Sequence, residues 1–172
     1  MDFSRELTVR AAATEDVDCI VGFSAAMAWE TERRQLDHAR LREGTLSLLR
    51  TPSLGFFMVA ETRTSGGPVV VGQLMITYEW SDWRNGLFWW IQSVYVDPVW
   101  RRRGVFRGMH EAVLSQAKAD PTVCGIRLYV EEGNEAAKAV YQRLGMSPSS
   151  YKVYEQDFVL ATHTREHPPR SS

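Results

Sequence analysis

The chain has 172 residues, 44% of them hydrophobic and 24% charged, which is the size and make-up of one soluble domain. Twenty Lys and Arg against 21 Asp and Glu leave a net charge of -1, which argues against a protein that coats nucleic acid or an anionic membrane. No apolar stretch reaches the length of a membrane helix, the opening MDFSRELTVR lacks the apolar run of a secretory signal, and Cys19 and Cys124 form neither a CxxC pair nor a metal-ligand spacing. Free thiols, buried in apolar segments, fit the reducing cytoplasm.

In chain order, Leu7 to Ala11 reads as a short strand. Thr14 is placed to cap a helix over residues 14–30, with Glu15 and Asp16 favourable in its first turn. A second helix over 37–50 is stopped by Thr51-Pro52-Ser53. Residues 56–61 and 69–80 are strands joined at Ser65-Gly66-Gly67-Pro68 as a hairpin, and 88–96 is a third, ended by Asp97-Pro98. Helical spacing marks 104–119, a buried-looking strand 125–130, and a helix 134–144 with Gly145 at its C′ position. Residues 152–158 are expected to be a last strand, and 161–172 is polar, Pro-containing and expected to be disordered. The order βααβββαβαβ predicts an α/β protein with a mixed sheet: antiparallel strands first, then a βαβ crossover, with helices on both faces. Residues 1–160 would form a single domain.

The most informative stretch is Val94-Tyr95-Val96-Asp97-Pro98-Val99-Trp100-Arg101-Arg102-Arg103-Gly104-Val105-Phe106-Arg107. A strand runs through a basic turn into a helix. The first N–H groups of a helix have no acceptor within it, and with the helix dipole they make an anion site. Gly104 permits close backbone approach. This arrangement suits a pyrophosphate, although a solvated basic turn has the same sequence. Neither a GxxxxGK[ST] loop nor a GxGxxG fingerprint is present. Further on, Asn134, Ala137 and Tyr141 are spaced i, i+3, i+7 and share one helix face.

Together these two segments resemble the GNAT superfamily of N-acetyltransferases. The family pairs [RQ]-x-x-G-x-[GA] after the fourth strand with a later N-x-x-A-x-x-x-Y helix ending in G-[FM]. Here the first reads Arg101 to Phe106 and the second Asn134 to Met146, and Phe106 departs from the small residue usual at its position. The element order agrees from Leu7 to Phe158. The resemblance implies a V-shaped opening between the fourth and fifth strands that takes acetyl-CoA. Val94 and Val96 would pair with the pantetheine arm, and the backbone amides of Arg102, Arg103, Gly104, Val105, Phe106 and Arg107 would hold the pyrophosphate, with Arg101 opening the loop. Asn134 would bond the pantetheine, Ala137 would let the cofactor pass, and Tyr141 would face the thioester sulfur as proton donor. No metal is implied.

An amine acceptor has to lose a proton before it attacks. Glu30 and Glu79 sit beside Trp29, Tyr78, Trp80 and Trp83, and burial beside rings makes a carboxylate more basic. Glu30, Glu79, Trp80, Asp82 and Trp83 are therefore expected to line one acceptor cavity for a small cationic amine held by cation–π contact. The same tryptophans could instead pack a homodimer interface. The alternatives to a small-molecule acetyltransferase are a protein lysine or N-terminal acetyltransferase, which needs an open groove, and a non-catalytic acyl-CoA-binding module. A nucleic-acid or membrane partner is not expected.

Overall fold

The computed structural model describes residues 7–159. The chain divides into two compact units, one ending at Tyr129 and the other starting at Val130. In chain order the first contains β1 (Leu7–Ala11), α1 (Val17–Glu32), α2 (His38–Arg50), β2 (Gly55–Thr64), β3 (Gly67–Ser81), β4 (Gly86–Val96), α3 (Val105–Ala119) and β5 (Val123–Leu128). The five strands form one sheet in sequence order. β1 through β4 are antiparallel neighbours and β4 pairs with β5 in parallel, so the predicted mixed sheet with a βαβ crossover is present.

The period-2 pattern of β2 explains the layering. Phe57 and Val59 point to one face and pack with Ile20 of α1 and Leu48 of α2. Met58 and Ala60 point to the other and join Val71, Leu74, Ile76, Trp89 and Ile91 under Val105, Met109 and Val113 of α3. Helices thus cover both faces. Close approach of α3 requires Gly72, where a Cβ would lie 3.2 Å from Val105 and 3.3 Å from Met109.

The entry to α1 differs from the expected Thr14 cap. Thr14–Asp16 form a 3₁₀ turn, and Asp16 reaches back to accept the Ala13 N–H at 2.7 Å. Its carboxylate also receives Arg10 Nη1 and Nη2 at 2.7 and 2.9 Å, while Arg10 Nη2 meets Glu61 at 2.9 Å. Asp16 thus closes the 3₁₀ turn and ties it to β1, while no side chain caps α1 itself. α2 has a local cap instead, the Asp37 carboxylate accepting from Ala39 and Arg40.

The second unit contains α4 (Glu135–Arg143). Asn134 Oδ1 accepts the Ala137 N–H at 3.0 Å as its N-cap. Gly145, at φ 83°, closes it at C′: its N–H bonds Gln142 O, and the Met146 N–H bonds Tyr141 O. The expected last strand is absent, because residues 151–157 take no regular structure and Tyr151, Val153, Tyr154 and Phe158 are exposed. A strand forms only with a ladder partner, and this segment has none among the described residues. The predicted tail from residue 161 lies outside the described residues. Cys19 and Cys124 carry free thiols, half-buried and not fully buried as expected.

Candidate active site

β4 runs beyond its partner. The parallel ladder spans Leu87↔Val123 to Ile91↔Leu128, where β5 ends, while β4 continues to Val96. A bulge at this point sets Ile91 against Ile76 and Ser93 against Met75, leaving Gln92 between them. Past it, the Asp97 N–H donates to Val71 O at 2.9 Å. Hydrogen-bonded and non-bonded pairs alternate along an antiparallel ladder, so the amides of Val94, opposite Leu74, and Val96, opposite Gly72, point away from β3 into the opening. Val96 O is taken there by Arg101 Nε at 2.9 Å. This is the splayed opening between the fourth and fifth strands.

The turn that follows is built from local chemistry. Asp97 Oδ1 accepts the Val99 N–H at 2.9 Å and starts a 3₁₀ turn over Pro98–Trp100. Arg102 at φ 62° and Gly104 at φ 86° both occupy the left-handed region and reverse the chain into α3. The first α-helical bond runs from the Gly108 N–H to Gly104 O, and Gly104 supplies no side-chain cap. The N-terminus of α3 therefore faces outward, and the space a Cβ of Gly104 would enter is empty to 4 Å. The arginines divide in role. Arg101 folds back, its Nη2 donating to Glu30 Oε2 at 2.6 Å with the guanidinium 5.2 Å from the Tyr95 ring. Arg103 lies over Trp100 at 5.1 Å, Arg107 pairs with Glu111 at 2.8 Å, and Arg102 is exposed. The side chain of Phe106 lies beside His110 on α3, with ring centroids 6.1 Å apart.

The five expected acceptor residues do not line one cavity. Glu79 stands opposite Phe88, whereas Glu30 receives the Tyr95 hydroxyl at 2.8 Å, seven residues further along β4. At ~3.3 Å per residue Phe88 and Tyr95 lie roughly 20 Å apart along the strand, so the two carboxylates engage different stretches of β4. Strand alternation turns Trp80 to the face opposite Glu79, and Asp82 is engaged in the hairpin turn, accepting the Trp83 N–H at 2.8 Å. Trp80 is 59% exposed and Trp83 84% exposed, so neither walls a pocket.

What Glu79 does join is a cluster that the sequence did not reveal. Its carboxylate accepts from Trp90 Nε1 and, at 2.7 Å, from Arg127 Nη1. Arg127 lies 3.6 Å from the centroid of the Phe88 ring, which in turn sits over Gly125, where a Cβ would meet it at 2.7 Å. Trp90 stacks on Tyr129 at 4.4 Å, just past the end of β5. The only advance signal was the period-2 face shared by Trp90 and Phe88. A separate concavity of about 330 Å³ lies between Ala25 and Trp29 of α1 and Arg34, Gln35, Leu36 and His38.

Arg101, then Tyr95, hold the Glu30 carboxyl below the ordinary carboxylate range. In the second unit, Asn134, Ala137 and Tyr141 share the expected face of α4, and desolvation raises the Tyr141 phenol above its ordinary value, keeping it protonated at neutral pH. Among the described residues no group of three His, Cys, Asp or Glu is placed to hold a metal.

No curated protein matches the chain. Over 90% of its length it superimposes on 99% of a crystal structure of a possible acetyltransferase from Clostridium difficile 630, with 40% identity and a TM-score of 0.81. The fold is also that of the aminoglycoside N-acetyltransferase AAC(6')-Iy in complex with CoA, at 13% identity and a TM-score of 0.70 over 89% of this chain and 95% of that one. A ribosomal-protein-alanine N-acetyltransferase from Brucella melitensis biovar Abortus 2308 matches at 14% identity and a TM-score of 0.66, over 88% and 99%. The family model for the acetyltransferase (GNAT) family matches residues 14–146, a span that holds both the splayed strands with their basic turn and the Asn134–Tyr141 helix, and the chain belongs to that family.

Proposed function

We propose that the protein transfers an acetyl group from acetyl-CoA to a primary amine of a small molecule by direct attack on the thioester. The observation that carries this reading is the β4–α3 turn: left-handed Gly104 opens the α3 N-terminus beside the unpaired β4 edge at Val94. That edge suits an amide-rich pantetheine arm added like a strand, and the helix N-terminus with exposed Arg102 suits the pyrophosphate. The Val94 N–H would stabilise the developing oxyanion, a donor worth ~3–4 kcal/mol of barrier where it is aligned. Asn134 and Ala137 would border the pantetheine, protonated Tyr141 would give its phenolic proton to the departing thiolate, and the proton lost by the attacking amine would leave through water.

On the acceptor side, Glu79 with its Trp90 and Arg127 partners offers a carboxylate beside aromatic rings, which suits an amine carrying an aromatic or apolar part. Asp82 would add a second carboxylate near the hairpin tip. Trp80 and Trp83, both exposed there, favour contact with a second copy over a place in the pocket wall. The free thiols of Cys19 and Cys124 fit a cytoplasmic protein. No helix among the described residues is long and apolar enough to cross a membrane.

The test is a panel of amines with acetyl-CoA, following free thiol release. Turnover on small amines and none on lysine peptides is expected. Turnover confined to peptides would support the protein-acetyltransferase reading. Tight CoA binding without turnover on any acceptor would support the binding module.

A further inference from the structure

We infer that Glu30 is a positioning residue that clamps Arg101, and through it fixes the turn receiving the pyrophosphate, rather than a base for the amine. The inference rests on the acetyl-CoA reading above and assigns two residues within it. Both Glu30 oxygens are committed, Oε2 to Arg101 Nη2 at 2.6 Å and Oε1 to the Tyr95 hydroxyl at 2.8 Å. Arg101 is further held by its Nε bond to Val96 O at 2.9 Å and by the Tyr95 ring, 5.2 Å from the guanidinium. The arginine that opens the basic turn is therefore directed toward α1 and β4, away from the α3 N-terminus.

The clamp is anchored on rigid ground. Tyr95 is 6% exposed and its ring lies 5.3 Å from that of Phe23 on α1. α1 itself buries Val17, Ile20, Val21 and Ala28. The turn it restrains needs restraint, because Arg102 holds a left-handed φ that an L side chain adopts at a cost, and Gly104 has the widest conformational freedom of any residue. Ordering such a turn before the ligand arrives lowers the entropy lost on binding. Glu30 has the wrong chemistry for a general base, since two donors already bond it and its carboxyl sits below the ordinary range, where it takes a proton poorly.

The experiment is a double-mutant cycle of Glu30→Gln and Arg101→Gln, with Tyr95→Phe as a third variant and thermal melting to verify folding. CoA affinity is measured by calorimetry, and kcat and KM at saturating acceptor. The pair is about two-fifths exposed, so a modest effect is expected: each single change weakens CoA about three- to fivefold, and the double change no more than the larger single. The acetyl-CoA KM rises to match while kcat stays within about twofold. Tyr95→Phe, which keeps the ring and removes one donor, gives a smaller effect in the same direction. A kcat fall of roughly 10²-fold or more in Glu30→Gln with affinity unchanged makes Glu30 the base and overturns the clamp. Unchanged or tighter CoA binding in Glu30→Gln overturns it as well, as does an Arg101→Gln loss more than about tenfold beyond that of Glu30→Gln, which makes Arg101 a direct phosphate ligand. No CoA binding by the unmutated chain refutes the functional reading itself.

Discussion

Substitution at Gly104 separates backbone strain from charge at the proposed phosphate turn. Gly104 sits at φ 86°, and a Cβ there meets nothing within 4 Å. Gly104→Ala therefore carries only the left-handed penalty, about 1–2 kcal/mol. For a chain of this size that lowers Tm by about 2–8 °C. Gly104→Asp has similar or smaller strain, because Asp tolerates the left-handed region, but it puts a carboxylate where the diphosphate is expected. At a separation of about 6 Å, each charge pair costs ~0.7 kcal/mol at bulk-water screening and ~2.8 kcal/mol at the screening typical near a protein surface. With two diphosphate charges the lower figure alone predicts about tenfold weaker CoA binding. Calorimetry of both variants, at two salt concentrations, measures the difference. The Asp-specific loss should shrink as salt rises, since charges at this separation are partly screened at ~8 Å Debye length. Equal CoA affinity in folded Asp and Ala variants would remove the pyrophosphate from this turn.

Other outcomes follow from the same geometry. Tyr141→Phe should lower kcat by about 10-fold or more with CoA affinity unchanged, and a kcat within twofold would leave the phenol without a proton-transfer role. Asp16→Asn should destabilise the fold by about 1.5–3 kcal/mol in denaturant titration, because Asp16 is 6% exposed and leaves Arg10 half-satisfied when neutral. Arg10, the largest cause, depresses the Asp16 carboxyl, so its stabilisation is complete above the unfolded-state value and is lost as pH falls through the lower folded-state value. The Asn variant should accordingly show a shallower acid limb, and an acid limb of unchanged slope would place the linkage elsewhere. Gly125→Ala should displace the Phe88 ring on which Arg127 lies, raising acceptor KM more than acetyl-CoA KM, and equal changes in the two would detach this cluster from the acceptor side.

What the sequence determined by itself was whatever short-range chemistry encodes. The strands β2 and β4, the Gly145 C′ position and a turn at Gly104 before α3 all follow from residues within a few positions of each other, because dihedral preference and side-chain period are local. The partners of the charged side chains were settled only by the tertiary structure. Glu30 and Arg101 are 71 residues apart, Glu79 and Arg127 48, and Arg10 and Glu61 51, and no pattern in the chain marks one acid rather than its neighbours for each arginine. The expected single acceptor cavity failed on the same ground. It joined carboxylates by their aromatic neighbours in sequence, whereas the register of β3 on β4 sets Glu79 at one end of the strand and the hold of α1 on Tyr95 sets Glu30 at the other. Residues 152–158 were expected as a strand and form none, because pairing is a property of two segments and one segment cannot supply the other.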